Sequence, residues 1–577
     1  MLNEMYTARG EALTGTPWTV YPRPQMKRDS YINLNGEWEF SVNDADTQPI
    51  QVPFCPESLL SGVKKHFPEG SILCYRRRFT LPEGFRRGRV LLHIGAADQT
   101  ADVYVNGISV GHHEGGYEAF TMDITDALGE ENEISVRCMD DLRLQEFPYG
   151  KQVLPEKRGG MWYTPVSGIW QTVWLESVPE TYIEKLDIQN NGYSVTITTV
   201  PALAGKVTVA NLGEFALERG SVTITPENPH LWSPEDPYLY DFTVEAGEDK
   251  VESYFAIRSL EIKTVGDYPR LCLNGKPYFF HGLLDQGYWP DGLFTPAAPE
   301  CYADDILAMK RVGFNTLRKH IKVEPEEFYY QCDKLGMIVF QDMVNNGDYG
   351  YIRDTVLPTL SLSYQHKVDD RKLHRDETTR KLFLAGMGRT VNQLKNHPCI
   401  CYWTIFNEGW GQFDSDAVYE KFLHFDNTRW IDSTSGWFRR SKTDVDSRHV
   451  YFRKVNLKGD GVKPLVLSEF GGKTLKVEGH LFNPEKSYGY GGCKSREELN
   501  DALVKLYMEE VLPCIPNGLC AAIYTQVSDV EDEINGLVTY DRKVEKLSPE
   551  RMLPVAEALQ KAVTMDTASP AEMFPKG

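Results

Sequence analysis

The hydrophobic pattern changes period at about residue 266, and that change limits the fold more than any other feature of the chain. From there on, short apolar runs alternate with stretches of helical spacing. Tyr278-Phe-Phe-His281 reads as a first strand. Tyr302, Ile306, Met309 and Val312 then keep helical spacing, and Gly313 stands where that helix stops. Phe314–Leu317 is the next strand. Pro325 opens a second helix, Gly336 ends it, and Met337–Phe340 follows. Ile400–Ile405, Thr434–Trp437, His449–Tyr451, Leu465–Leu467 and Ala521–Thr525 bring the strands to eight. Eight strands separated by helices predict a closed parallel (β/α)8 TIM barrel over 266–577.

Upstream the period is two. In Ala101-Asp-Val-Tyr-Val-Asn-Gly-Ile-Ser-Val110, Val103 and Val105 point one way and Asp102 and Tyr104 the other, with Asn106-Gly107 as a hairpin turn. Units of this kind predict a β jelly roll over 1–180. Further strands at Ser194–Val200, Lys206–Ala210 and Tyr238–Val244, around a Pro-rich corner at 229–237, predict an immunoglobulin-like β-sandwich over 181–265. The fold class is therefore multidomain: two β domains followed by a barrel.

A net charge of −20 argues against nucleic acid or an anionic membrane as partner. No apolar stretch approaches the ~18 residues of a membrane span, and the first thirty residues show no apolar secretion core. Eleven scattered cysteines fit buried thiols in a reducing compartment, so a cytoplasmic location is the expectation. Cys399 and Cys401 sit in an apolar run and read as core, not as metal ligands.

Active sites of such barrels lie at the C-terminal strand ends. Strand four runs into Asn407-Glu408 and strand seven into Ser468-Glu469-Phe470-Gly471. Strands four and seven face each other across the mouth, so Glu408 and Glu469 can share a pocket. Two opposed carboxylates suit glycoside hydrolysis: one protonates the leaving oxygen, the other attacks the anomeric carbon. Two rival readings are a metal-dependent hydrolase and a non-catalytic carbohydrate-binding protein. No His-x-His ligand cluster stands at the strand ends, and a degenerate barrel would be expected to have lost one of the two glutamates.

With these motifs the chain resembles glycoside hydrolase family 2, the family of β-galactosidases and β-glucuronidases. The likeness extends to Leu34-Asn-Gly-Glu-Trp38, Asp102-Val-Tyr-Val-Asn-Gly107 and Ser167-Gly-Ile-Trp170 in the first domain. The resemblance implies an exo-acting, retaining enzyme with Glu408 as acid/base and Glu469 as nucleophile, and no cofactor. It implies a small glycoside as substrate and allows a homo-oligomer. Asn407 matches the asparagine that holds the sugar 2-hydroxyl, and Arg318 and His320 match residues lining the family's glycone pocket. Trp437, His449 and Tyr451, ending strands five and six, are expected to wall the pocket or orient Glu469. Asp285 and Asp342 are candidates to contact hydroxyls. Trp162, with Tyr163, is expected to reach the site on a loop.

The glycone is less determined. The Asn-x-Lys motif tied to glucuronide binding is missing: Glu533 and Asn535 occupy its places. By alternation Lys322 lies on the same side as Arg318 and His320, where it can pair with a C6 carboxylate or, as the plainer alternative, with Glu324 or Glu326; Arg439 and Arg440 are further cation candidates. Basic residues clustered at one strand end tilt the reading to a β-uronide, galacturonide or glucuronide, over a neutral β-galactoside. The segment Met343–Arg375 is expected to form a loop over the mouth.

Overall fold

The computed structural model describes residues 2–356 and 369–565. The part of the expected mouth loop between 357 and 368 lies outside them. Residues 31–178 form a sandwich of a four-stranded and a six-stranded antiparallel sheet around one apolar core. Its Asn106-Gly107 hairpin turns with φ of 52° and 78°, the left-handed backbone that Asn and Gly accept at least cost. The first thirty residues add no strand to this sandwich. Thr7 bonds Asp291, Trp18 Nε1 bonds the Pro296 carbonyl, and Arg9 pairs with Asp304, so the start of the segment runs along the barrel, while Tyr21, Arg23 and Arg28 reach Glu176 of the sandwich.

Residues 185–255 form the second sandwich, with three- and four-stranded sheets. Buried polar links tie it to its neighbours. Arg28 bridges Glu176 of the first domain and Asp249 of the second. Tyr254 donates to Asp333 at 2.7 Å, and Arg258 donates to the carbonyls of Pro398 and Ile400 beneath the barrel.

The third domain is an eight-stranded parallel barrel. Its strands are β1 (Phe280–Asp285), β2 (Thr316–Lys319), β3 (Ile338–Asp342), β4 (Ile400–Asn407), β5 (Trp430–Ser435), β6 (Asp446–Val450), β7 (Leu465–Phe470) and β8 (Leu519–Tyr524). Helices Glu300–Arg311 and Glu326–Leu335 fall where the apolar spacing placed them. Gly336, at φ 70°, closes the second.

Two connections depart from expectation. No helix separates β5 from β6 or β6 from β7. The ladder is also open between β5 and β6, which stand at the two ends of the sheet order. Side chains close the gap: Ser435 Oγ meets His449 Nε2 at 3.1 Å, and the Gly436 amide donates to Ser447 Oγ at 3.3 Å.

The barrel interior is apolar low down, where Phe280 packs on Phe340 and Trp430, and Phe340 stacks on Tyr402 at 4.3 Å. Above that layer it turns polar.

Candidate active site

Period-two alternation sends Arg318 of β2 into the barrel and Lys319 outward. Arg318 is 1% exposed and uses its whole guanidinium. Nε donates to Asp342, one terminal nitrogen to Glu469 Oε1 at 3.1 Å and the Ser468 carbonyl, and the other to Asn407 Oδ1 at 2.8 Å. One planar cation thus sets the positions of three strand ends.

Glu469 sits where the register of β7 shifts, and His449 where that of β6 shifts. Such irregularities re-aim a side chain, here towards the mouth. Tyr451 donates to Glu469 Oε2 at 2.9 Å while its ring stacks on Tyr490. Burial by itself would push the Glu469 carboxyl up, but His449, Arg318, His320 and Lys151 together outweigh it. The group is held well below the ordinary carboxylate range, so it stands ionised.

Glu408 follows β4 with φ of 52°, a left-handed conformation that a non-glycine residue adopts at a cost. Its amide bonds the Ser435 carbonyl at 2.9 Å, which fixes the turn. Its Oε1 lies 2.7 Å from His449 Nδ1. A carboxyl oxygen of Glu408, one of Glu469 and a ring nitrogen of His449 all lie within 4.8 Å of one another.

The Ser435 hydroxyl donates to Ser468 Oγ, which donates to the Arg448 carbonyl. That chain leaves Ser435 Oγ as acceptor for a proton on His449 Nε2. His449 Nδ1 faces Glu408, so the ring links the two carboxyls, and an ionised Glu469 and the Glu408 carboxyl stand on one centre.

The other expected residues fall into two groups. Asn407 accepts from Arg318 through Oδ1, and its amide nitrogen has no hydrogen-bond partner among the described residues. His320 is held by Asp342 through Nδ1 at 2.8 Å; burial lowers its pKa. Trp437 packs its ring against His449. Trp162 lies 4.8 Å from the ring of Trp410, two residues beyond Glu408.

The cation assignments need correction. Lys322 does not reach the pocket: its ammonium is buried and bonded to Glu324 and to the Gly287 and Phe294 carbonyls. Ile321, at φ 44°, breaks the extended backbone, so strand alternation past His320 no longer applies. Asp285 pairs with Lys319 at 2.7 Å. Asp342 is 1% exposed and spends both oxygens on Arg318 and His320. It positions those residues. Arg439 and Arg440 pair with Asp446 and Asp370.

Trp162 stands on the first-domain loop expected for it, but the contacts that hold that loop were not legible in the sequence. Tyr149 donates its amide to the Asn345 carbonyl at 3.0 Å and its hydroxyl to Gly347 at 2.6 Å, and Trp410 Nε1 donates to Tyr149 at 3.2 Å. This seam joins residues about 200–260 positions apart in sequence, and no local pattern announces it.

Fold and site define a barrel protein of the two-carboxylate type, roofed by a loop from its first domain. Three family models match in order: "Glycosyl hydrolase 2 galactose-binding domain-like" over 69–147, "Glycosyl hydrolases family 2" over 178–258, and "Glycosyl hydrolases family 2, TIM barrel domain" over 265–547. The chain belongs to glycosyl hydrolases family 2. It is 24% identical to a β-galactosidase of Thermoanaerobacter pseudethanolicus over 65% of this chain and 49% of that protein. It is 24% identical to a β-glucuronidase of Bacteroides fragilis over 68% of this chain and 58% of that one. The chain thus spans about half the length of the curated relatives it matches. Among solved structures, the β-galacturonidase of Eisenbergiella tayi bound to galacturonate aligns with a TM-score of 0.67 at 18% identity, covering 94% of this chain and 99% of that one. No helix among the described residues is long and apolar enough to cross a membrane.

Proposed function

We propose that the chain is a retaining exo-β-glycosidase that hydrolyses terminal β-linked sugars by double displacement, with a β-uronide as preferred glycone. The observation that carries this reading is the convergence of carboxyl oxygens of Glu408 and Glu469 within 4.8 Å. An approach of the nearest oxygens to 4.8 Å or less supports the close carboxyl pair of retaining enzymes over the ~6.5–9.5 Å that admits a water between the acids.

In the first step Glu469 attacks the anomeric carbon while Glu408 gives its proton to the leaving oxygen. In the second, the ionised Glu408 takes a proton from water, which displaces Glu469 from the sugar. Asn407 offers its free amide to a sugar hydroxyl near the reacting carbon.

The uronide preference draws on relatives named β-glucuronidase and on a structural neighbour named β-galacturonidase. A neutral β-galactoside is the second reading. Glu533, buried within electrostatic range of Glu469, favours it, because its ionised form opposes a sugar acid, although burial pushes its pKa up. A panel of aryl β-galactosides, β-glucuronides, β-galacturonides and β-mannosides tests the substrate, and proton NMR of the first-formed anomer tests the stereochemistry. A β-configured first product from a β-uronide is expected. An α-configured first product would overturn double displacement, and turnover of galactoside alone would overturn the uronide.

A further inference from the structure

With Lys322, Lys319, Arg439 and Arg440 paired elsewhere, the cation that would read a sugar carboxylate has to come from another part of the molecule. Lys151 stands on the first-domain loop that roofs the mouth. Both neighbours of Lys151 are locked. The Gly150 amide donates to the Asn345 carbonyl of the barrel at 3.2 Å. Gln152, 1% exposed, donates to Asp98 and Tyr117 and accepts from the Val166 amide. The Lys151 carbonyl itself accepts from the Tyr163 amide at 3.1 Å.

The Lys151 ammonium has neither hydrogen bond nor ion pair among the described residues. It lies 5.8 Å from the centre of the Trp162 ring, and that ring packs on Trp410 just beyond Glu408. Its charge acts on Glu469, on His320 and on Glu533. Glu533 does not consume it: that carboxylate is 2% exposed and already accepts from Tyr163 and Asn535.

We infer that Lys151 is the specificity-determining cation of the glycone pocket, placed by the first domain to pair with the carboxylate of a β-uronide. This rests on the uronide reading above. A cation delivered from the roof takes over the task of the missing Asn-x-Lys motif from a different element, and the buried Glu533 balances it when no anion is bound.

The test compares kcat/KM for aryl β-galacturonide and β-glucuronide with that for the matching neutral glycosides, in wild type, Lys151→Met and Lys151→Arg. Taking ratios within one preparation removes any difference in the folded fraction. Lys151→Met is expected to lower the uronide-to-neutral ratio roughly 10- to 100-fold, the span of a charge-assisted hydrogen bond. The loss should appear mainly in KM, and Lys151→Arg should recover part of it. An unchanged ratio in Lys151→Met, with the wild type turning over uronides, overturns the inference and leaves the uronide reading standing. A wild type that hydrolyses neutral β-glycosides and no uronide overturns both, and one that hydrolyses no glycoside overturns the proposed activity as well.

Discussion

Arg318 shows how one side chain organises the chemistry of the site. It neutralises part of Glu469, orients Asn407, and is itself aimed by Asp342. Replacing Asp342 with Asn keeps the shape but removes the charge that holds Arg318 and His320. We expect kcat to fall by about ten-fold or more, with KM less affected, because a buried charge-assisted bond is worth ~1.5–3 kcal/mol. An Asp342→Asn enzyme with wild-type kcat would contradict the positioning role. The depressed pKa of Glu469 has a pH consequence with a definite sign. A carboxyl lowered in the folded state stays ionised as pH falls through the usual range near 4, so the acid limb of kcat/KM set by Glu469 lies below that range. Tyr451→Phe removes a donor to the ionised form and should shift that limb upward. A pH–rate profile whose acid limb stays in place in Tyr451→Phe would contradict this.

Between strands and loops, the seam at Tyr149 matters most. Tyr149→Phe removes the bond to Gly347 and the one from Trp410, and should destabilise the roof by ~1–2 kcal/mol. Protease nicking of the 145–163 loop reports this, and equal nicking rates in the two proteins would count against it. Element by element, the eight strands were readable because each is a short apolar run closed by Gly, Pro or polar residues. The helices were readable from the 3.6 period and from Gly336. The β5–β7 region was not, because its links carry no helix and the ladder is closed by Ser435, Ser447 and His449 side chains. The family resemblance placed Arg318, His320 and Asn407 beside the glutamates, and alternation along the strand put Arg318 and His320 on one side. Alternation misplaced Lys322, since the backbone at Ile321 leaves the strand. Nothing local revealed Lys151, whose position depends on two domains meeting.

The molecule as a whole is joined by buried polar contacts more than by linkers. Arg28 ties the first and second domains through Glu176 and Asp249, each at most 3% exposed in its side chain. Arg258 and Tyr254 tie the second domain to the barrel. Truncating Arg28 to Met leaves two buried carboxylates short of a partner and should cost ~3–5 kcal/mol. Because the domains share these contacts, calorimetry should show one unfolding transition that moves as a unit in Arg28→Met. Two transitions, only one of which shifts, would show the domains unfolding independently.

The central claim is that Glu469 attacks the sugar while Glu408 handles the proton. The most direct measurement is mass spectrometry of a peptide digest after incubation with a 2-deoxy-2-fluoro β-glycosyl fluoride of the preferred glycone, which slows release of the covalent sugar. The account predicts a single added glycosyl mass on the peptide containing Ser468-Glu469-Phe470, absent in Glu469→Gln. An adduct on any other residue, or steady turnover with inverted product and no adduct, would contradict it.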